Sequence, residues 1–184
     1  MEIKKDEWAI VLDFLPHGRY GMERAQPVAQ VLGEKFFSLL EVIIRDNVSV
    51  KPGQRIYIGD GKREEVKYIL GRIDFNNLSV VAKEELVNVI EKIIEKNSDR
   101  FLEFFNKSGP ITPRLHQLEL LPGLGKRHLW VIIEERKKEP FKSFEDLKKR
   151  VPLLPDPKKM IVKRILEEFE NKDRYRIFVP KSGK

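Results

Sequence analysis

The sequence predicts a multidomain α+β protein in which a small N-terminal β-barrel precedes an all-α C-terminal domain. Two observations support this fold class: short β-type runs fill the first 74 residues, and helical periodicity follows them. Charge divides the chain in the same way. Residues 1–107 hold 17 Lys and Arg against 18 Asp and Glu, whereas residues 108–184 hold 19 against 11. The net charge of +7 therefore comes from the C-terminal part, which is expected to attract polyanions.

Residues 1–82 are predicted to form an OB-like or SH3-like barrel. Short runs rich in β-branched and aromatic residues alternate with turn residues, and closure of such strands leaves few exposed edges. The last run also fits a helix, through Val66, Ile69, Leu70 and Ile73. The five predicted strands are Trp8–Leu15, Pro27–Leu32, Phe36–Arg45, Arg55–Ile58 and Val66–Asp74.

Residues 83–107 are predicted to form one or two bridging helices. Leu86, Val89, Ile90 and Ile93 recur at the spacing of one helical face. The segment Ser108-Gly-Pro-Ile-Thr-Pro113 then interrupts the helix, because each proline disfavours helical geometry in the residue before it. The third domain therefore spans residues 108–184.

The segment Leu118–Ile133 predicts a hairpin of two helices. A helix over Arg114–Leu121 should meet the turn Pro122-Gly-Leu-Gly125, and a second helix should begin near Lys126. Leu124 is expected to be buried between the helices, while the amides from Gly123 to Lys126 stay open to an anion at a helix N-terminus. Lys126 and Arg127 add full charges. The segment resembles the helix-hairpin-helix motif of DNA ligases, repair nucleases, glycosylases and polymerases, which binds nucleic-acid backbones without sequence preference.

An internal repeat at an offset of 33 residues predicts a second, degenerate hairpin. Leu121-Pro122 corresponds to Leu154-Pro155, but Asp156 replaces Gly123. Asp156 with Pro157 can begin a helix, yet its carboxylate repels phosphate. The C-terminal domain is thus predicted to be a tandem helix-hairpin-helix domain. Basic residues of the second hairpin extend the predicted nucleic-acid site or form a solvated helix face: Lys158, Lys159, Lys163 and Arg164.

Other function classes find little support. The chain has no Cys, and its three His are not spaced as metal ligands, so we expect no metal and no cofactor. No catalytic residue is predicted. DNA glycosylases with this hairpin place a catalytic Lys within it and an Asp a few turns later. Arg127 and Glu145 or Asp146 fall near those places, but the match is poor because a guanidinium cannot act as an amine nucleophile. No apolar run approaches the roughly 18 residues of a membrane span, so a cytoplasmic location is expected. Trp8 and Trp130 are predicted to be core residues, and His116 is expected on a helix surface.

Seven segments spread along the chain together form a familiar pattern: Ala9-Ile-Val-Leu-Asp-Phe-Leu-Pro-His-Gly18, Pro27-Val-Ala-Gln30, Arg55-Ile-Tyr-Ile-Gly-Asp-Gly61, Phe104-Phe-Asn-Lys107, Thr112-Pro-Arg-Leu-His116, Leu120-Leu-Pro-Gly-Leu-Gly-Lys126 and Ile132-Ile-Glu-Glu-Arg-Lys137. Through them the chain as a whole resembles an uncharacterised, mainly archaeal family, known as domain of unknown function 655 and as a predicted RNA-binding protein. The resemblance implies a β-barrel followed by a helix-hairpin-helix domain. Since the family's genes often lie near those of a ribosomal protein and an RNA polymerase subunit, it also implies a role near ribosomes or transcription.

The function predicted from the sequence is non-catalytic nucleic-acid binding, with RNA favoured over DNA. The predicted contact residues are Gly123, Leu124, Gly125, Lys126, Arg127, Lys158, Lys159, Lys163 and Arg164. Two alternatives stay open: an adaptor that docks on a ribosomal or RNA polymerase protein, and a DNA-binding or repair-associated module. No membrane partner is expected.

Overall fold

The computed structural model describes residues 4–181 and shows a mixed α+β protein. The chain forms two compact units. The first takes in the chain up to Val89 together with the segment from Phe169 onward, and the second spans Ile90–Glu168. The predicted domain limits at residues 82 and 107 stay a prediction.

The first unit contains a curled, antiparallel sheet of five strands in the order β4-β1-β2-β3-β5. The prediction of five strands is confirmed, and the helical alternative for the last of them is wrong. A 3₁₀ turn, Phe75–Asn77, follows the sheet. The strands are β1 (Trp8–Leu15), β2 (Val28–Gly33), β3 (Leu39–Ile44), β4 (Arg55–Tyr57) and β5 (Val66–Arg72).

The sheet is a half-barrel and not the closed barrel that the sequence predicts. β4 and β5 are its two edges, and no ladder joins them in residues 4–181. Irregularities in the pairing of β1 with β2 and of β3 with β5 bend the sheet, as β-bulges do. Small and branched side chains of the strands, such as Val11, Val31, Val42 and Ile44, are buried completely in one hydrophobic cluster.

Asp6 closes the turn between β2 and β3. Its carboxylate accepts the backbone N–H groups of Lys35 at 2.8 Å, Phe36 at 2.9 Å and Ser38 at 3.3 Å. The carboxylate lies so close to Gly33 that a Cβ there would stand 1.9 Å from Asp6 Oδ2. Gly33 is therefore required by close approach, and Asp6 by the unpaired amides of the turn.

The second unit begins within α1 (Val80–Lys96) and is otherwise built from short elements. α1 and α2 occupy the predicted bridge over residues 83–107. A small hairpin of β6 (Pro110–Thr112) and β7 (Leu115–His116) leads into a 3₁₀ turn, Gln117–Leu120. The other helices are α2 (Ser98–Lys107), α3 (Lys126–Lys138), α4 (Phe144–Arg150) and α5 (Pro157–Phe169).

The predicted helix over Arg114–Leu121 is wrong, because β7 and the 3₁₀ turn fill that range. The side-chain Oε1 of Gln117 accepts the N–H of Gly109 at 2.8 Å, and the backbone N–H of Gln117 donates to the Gly109 carbonyl at 3.0 Å. These bonds close the small hairpin around Pro113, whose ring favours a turn over a continuing helix. The prediction of a helix from Lys126 is confirmed.

We expect Asp6→Ala to lower the free energy of unfolding by about 3 kcal/mol, because three amides lose a charged acceptor. Urea unfolding followed by circular dichroism measures the change. Asp60→Ala is the matched control, since Asp60 is exposed, and it should cost less than about 0.5 kcal/mol. Equal stability of the Asp6→Ala chain and the natural chain would contradict the role of Asp6.

Candidate nucleic-acid interface

The turn before α3, which we call the first turn, comprises Leu121–Leu124. The carbonyl of Leu121 accepts the N–H of Leu124 at 3.1 Å. Pro122 takes the second position and Gly123, with φ of 91°, the third, as in a type II turn. A Cβ at Gly123 would lie 3.6 Å from the Pro155 ring, so the first turn packs beside the loop that precedes α5.

The N-cap residue of α3 provides no side-chain cap. Gly125 is the N-cap residue, its φ is an ordinary −96°, and a Cβ there would meet nothing within 4 Å. Neither strain nor crowding therefore requires glycine at this position. Gly125 N–H makes a long bond of 3.4 Å to His128 Nδ1. We call Gly125 to His128 the open start of α3.

The backbone donors of this region divide into occupied and unoccupied groups. Leu124 N–H is used within the first turn, so one of the amides expected to bind an anion is not available. Within residues 4–181, no intrachain acceptor is recorded for the N–H groups of Gly123, Lys126, Arg127 and His128. Unpaired N–H groups at a helix N-terminus, together with the helix dipole, form a site for an oxyanion.

The two cations of the open start differ in their surroundings. Lys126 Nζ lies 2.7 Å from Glu119 Oε1 and 3.3 Å from the carbonyl of Arg114. This ammonium is the main reason that the pKa of Glu119 lies below its usual value. Arg127 is exposed, and no ion pair is recorded for it in the described part of the chain. Arg127 is therefore the cation that is available to an incoming anion.

The loop before α5 contains a second turn of similar form, Val151–Leu154. The carbonyl of Val151 accepts the N–H of Leu154 at 3.4 Å, and Leu153 has a positive φ of 62°, as Gly123 does. The two turns correspond at an offset of 30 residues, three fewer than the repeat read from the sequence. The chain between each turn and its helix accordingly differs in length.

α5 begins with an occupied cap, as the sequence predicts. Asp156 Oδ1 accepts the N–H of Lys158 at 3.0 Å, and the carbonyl of Asp156 accepts the N–H of Met160 at 3.1 Å. The protein's own carboxylate thus takes the place that an external anion would need. Of the two helix starts beside these turns, that of α3 alone lacks such a group.

The other predicted contact residues lie in different environments. Leu124 is buried beneath the first turn, at 7% exposure. Lys158 is half-buried, with its ammonium 5.9 Å from the centre of the Phe144 ring. Lys159 and Lys163 are exposed on α5. These two lysines are open to a ligand.

Arg164 is a correction to the predicted contact set. Its side chain is only 3% exposed and pairs with the buried Glu168 at 2.9 Å. It also donates to the carbonyl of Leu120 at 3.3 Å, directly before the first turn. A guanidinium enclosed in this way supports the hairpin from inside and cannot reach a backbone phosphate. The sequence shows four basic residues near the start of α5, but it does not show that Arg164 is the one that pairs with a buried carboxylate, that of Glu168.

The two tryptophans also differ from the prediction. Trp130 is 62% exposed on α3, because Leu129 and Ile132 occupy the buried face of this helix. Its position three residues after Arg127 could have shown this from the helical period. Trp8 is half-buried, and the Arg55 guanidinium lies 3.9 Å from the centre of its ring.

His116 is buried and not on a helix surface. Its Nδ1 accepts the N–H of Leu118 at 3.1 Å, while Glu119 accepts the N–H of His116 at 2.8 Å. Burial, aided by the positive charge of Arg136, lowers the pKa of His116 below its usual 6.5. The neutral imidazole therefore caps the 3₁₀ turn that precedes the first turn.

No cluster of three or more His, Cys, Asp or Glu residues suited to a metal ion occurs in residues 4–181. No helix in that range has the length and apolar character needed to span a membrane.

The fold and this surface define a mixed α+β protein with a half-barrel sheet and a small helical unit. A family model described as "Protein of unknown function (DUF655)" matches residues 5–180, and the chain belongs to this family. It is 42% identical over 178 residues to "Uncharacterized protein MJ0038" of Methanocaldococcus jannaschii. The aligned region covers 96% of this chain and 81% of that protein. The chain is similar to the crystal structure of Af1531 from Archaeoglobus fulgidus, with a TM-score of 0.87 and 46% identity, over 95% of this chain and 100% of the other.

We expect Arg164→Met to lower the free energy of unfolding by about 3 kcal/mol or more, because Glu168 would stay buried without its guanidinium partner. Chemical denaturation measures the difference. Lys163→Met, a substitution at the exposed neighbour, serves as the control and should change stability by less than about 0.5 kcal/mol. If both variants were equally stable, the structural role of Arg164 would be wrong.

Protonation of His116 at acidic pH should lower the free energy of unfolding of the second unit. A folded-state pKa below the unfolded value of 6.5 means that the unfolded chain binds the proton more readily. The stabilisation is therefore complete above about pH 6.5 and is lost as the pH falls through the folded pKa. Urea midpoints at about pH 7.5 and about pH 5.5 test this, since most carboxylates stay ionised at both.

His116→Asn supplies the control for this measurement. Its amide oxygen can still accept the N–H of Leu118, but it does not titrate. We expect the midpoint of this variant to change less between the two pH values than that of the natural chain. An identical pH dependence in both proteins would exclude His116 as the titrating group.

Proposed function

We propose that this protein binds nucleic acid, RNA in preference to DNA, by gripping the phosphate backbone without sequence specificity and without catalysis. The observation that carries the proposal is the open start of α3. It presents backbone N–H groups, the positive end of a helix dipole and the exposed Arg127 at one place. These groups recognise a phosphate oxygen and have no means of reading a base edge.

The composition of the second unit supports the same assignment. Ile90–Glu168 holds 18 Lys and Arg against 13 Asp and Glu, a net charge of +5. A positive field on so small a unit attracts a polyanion and raises its rate of encounter. The preference for RNA follows from the resemblance to a family described as predicted RNA-binding.

In this proposal the two turns belong to a tandem helix-hairpin-helix domain in which only the first hairpin grips phosphate. The 3₁₀ turn Gln117–Leu120 takes the place of a first helix. Asp156 turns anions away from the second hairpin, whereas the exposed Lys159 and Lys163 extend the cationic track along α5. Nucleic acid would thus contact the second hairpin through side chains only.

One observation favours the adaptor alternative. Leu153 is 94% exposed at the tip of the second turn, in a left-handed conformation that costs a non-glycine residue free energy. An exposed leucine held there suits contact with an apolar patch on a protein. Co-purification of a ribosomal or polymerase subunit that is lost in Leu153→Ser, together with poor RNA binding at physiological salt, would favour this function.

Gly125→Asp should separate binding from folding. An aspartate at the N-cap can accept the N–H groups of the open start, as Asp156 does in α5, so the stability of α3 should be kept or slightly raised. Its negative charge should repel phosphate and weaken RNA binding about tenfold or more at low salt. Fluorescence anisotropy with a labelled RNA and urea unfolding of the same sample measure the two effects.

Salt dependence and a neutral variant provide the controls. For the natural chain, log affinity should fall with log salt by about 0.7–0.9 for each phosphate contacted. Gly125→Val, which adds bulk without charge over the same amides, should weaken binding to all sequences alike. Unchanged affinity in both Gly125 variants would contradict the proposed phosphate site.

A further inference from the structure

We propose that Trp130 is a stacking platform for an unpaired base, so that α3 binds single-stranded RNA in preference to a duplex. This inference rests on the proposed function and names the nucleic-acid structure that the same helix would take. It starts from the exposed indole, which the phosphate site does not explain.

Trp130 differs from the other tryptophan of the chain in having an uncovered ring. It is 62% exposed, and within residues 4–181 no aromatic or cationic group is recorded against it. The ring of Trp8 instead has the Arg55 guanidinium 3.9 Å from its centre, and the centre of the Tyr57 ring lies 5.2 Å away at an interplanar angle of 65°. Removing a large aromatic surface from water is favourable, so a ligand that covers the Trp130 ring gains binding free energy.

The position of Trp130 on α3 relates it to the phosphate site. It follows Arg127 by three residues and Lys126 by four, so these side chains share one face of the helix. The separation along the axis is about 5–6 Å, or one turn. Long side chains on a helix lean toward its N-terminus, which directs the indole of Trp130 toward the open start of α3. A phosphate and a neighbouring base can therefore be bound by the same short segment.

The charges around Trp130 indicate which occupant fits. Its charged neighbours along this face of α3 are Lys126 and Arg127 on the N-terminal side and Glu134 and Lys137 on the C-terminal side. A protein partner would require a wider apolar patch than one ring among charged residues. A nucleotide fits this arrangement. Its base can stack on the Trp130 ring, while attraction by Arg127 and repulsion by Glu134 both favour a phosphate on the N-terminal side of the ring.

The requirement for an unpaired base follows from the geometry of stacking. Bases in a duplex show only their edges in the grooves, because their faces are covered by the adjacent pairs. An exposed indole can stack only on a base that is unpaired or at a strand end. Stacking of this kind strengthens binding and tolerates every sequence, because each base has a flat aromatic face. Stacking on Trp130 therefore adds a preference for single-stranded RNA over a duplex, which the phosphate contact alone does not provide.

The test compares Trp130→Ala, Trp130→Phe and Arg127→Ala in the full-length chain. The probes are a labelled single-stranded oligoadenylate RNA and an RNA duplex of equal length, at the same salt concentration. We expect Trp130→Ala to weaken single-strand binding roughly 5- to 100-fold and duplex binding less than about twofold. Trp130→Phe should retain most of the affinity, while Arg127→Ala should weaken binding to both probes.

Intrinsic fluorescence gives a second readout of the contact. The chain has two tryptophans, so Trp8→Phe leaves Trp130 as the single indole. Single-stranded RNA should quench its emission, and the duplex should leave it nearly unchanged. The reciprocal variant Trp130→Phe, in which Trp8 alone reports, should show no quenching with either probe. Circular dichroism of each variant confirms that it is folded.

The outcomes separate this inference from the proposed function. If Arg127→Ala weakens both probes but Trp130→Ala weakens neither, phosphate binding stands and the stacking platform is wrong. An equal loss on both probes in Trp130→Ala also overturns the strand preference. If the natural chain binds neither probe and its fluorescence does not change, both proposals fail.

Discussion

The packing of the first turn against the loop before α5 is the constraint on which the second unit depends. Gly123 adopts the positive φ that the turn requires, and its backbone lies beside Pro155 and Met160. Arg164, buried with Glu168, donates to the carbonyl of Leu120 directly before the turn. These contacts hold the chain that leads into the start of α3. A ligand that binds there meets donors already in place, which lowers the entropy cost of binding.

Several backbone N–H groups that could bind an anion are instead satisfied by the protein's own side chains. Asp6 satisfies the turn between β2 and β3, Ser143 caps α4 through the N–H of Asp146, and Asp156 caps α5. Gly125 offers no such group to α3. The proposed site is therefore defined by a missing internal contact. This explains why a carboxylate introduced at that one position should improve the helix and harm binding.

The elements that could be predicted were those set by local rules. The run Trp8–Leu15 is rich in β-branched and aromatic residues and ends at a turn, and the structure has the strand with the same bounds. The capping of α4 by Ser143 and the start of α5 at Pro157 also follow from residue type alone. The segment Arg114–Leu121 could not be predicted in this way. Its form depends on hydrogen bonds between Gly109 and Gln117, which are eight residues apart.

The amino-acid sequence by itself determined the tight turn at Pro122-Gly123, the helix that follows it and the positive charge around it, because each depends on neighbouring residues. Tertiary structure alone decided which of the predicted residues can meet a ligand. Lys163 and Arg164 are adjacent and similar in charge, yet one faces water and the other pairs with Glu168 in the interior. Trp130 is exposed for the same reason: a helix has one face to bury, and Leu129 and Ile132 already occupy it.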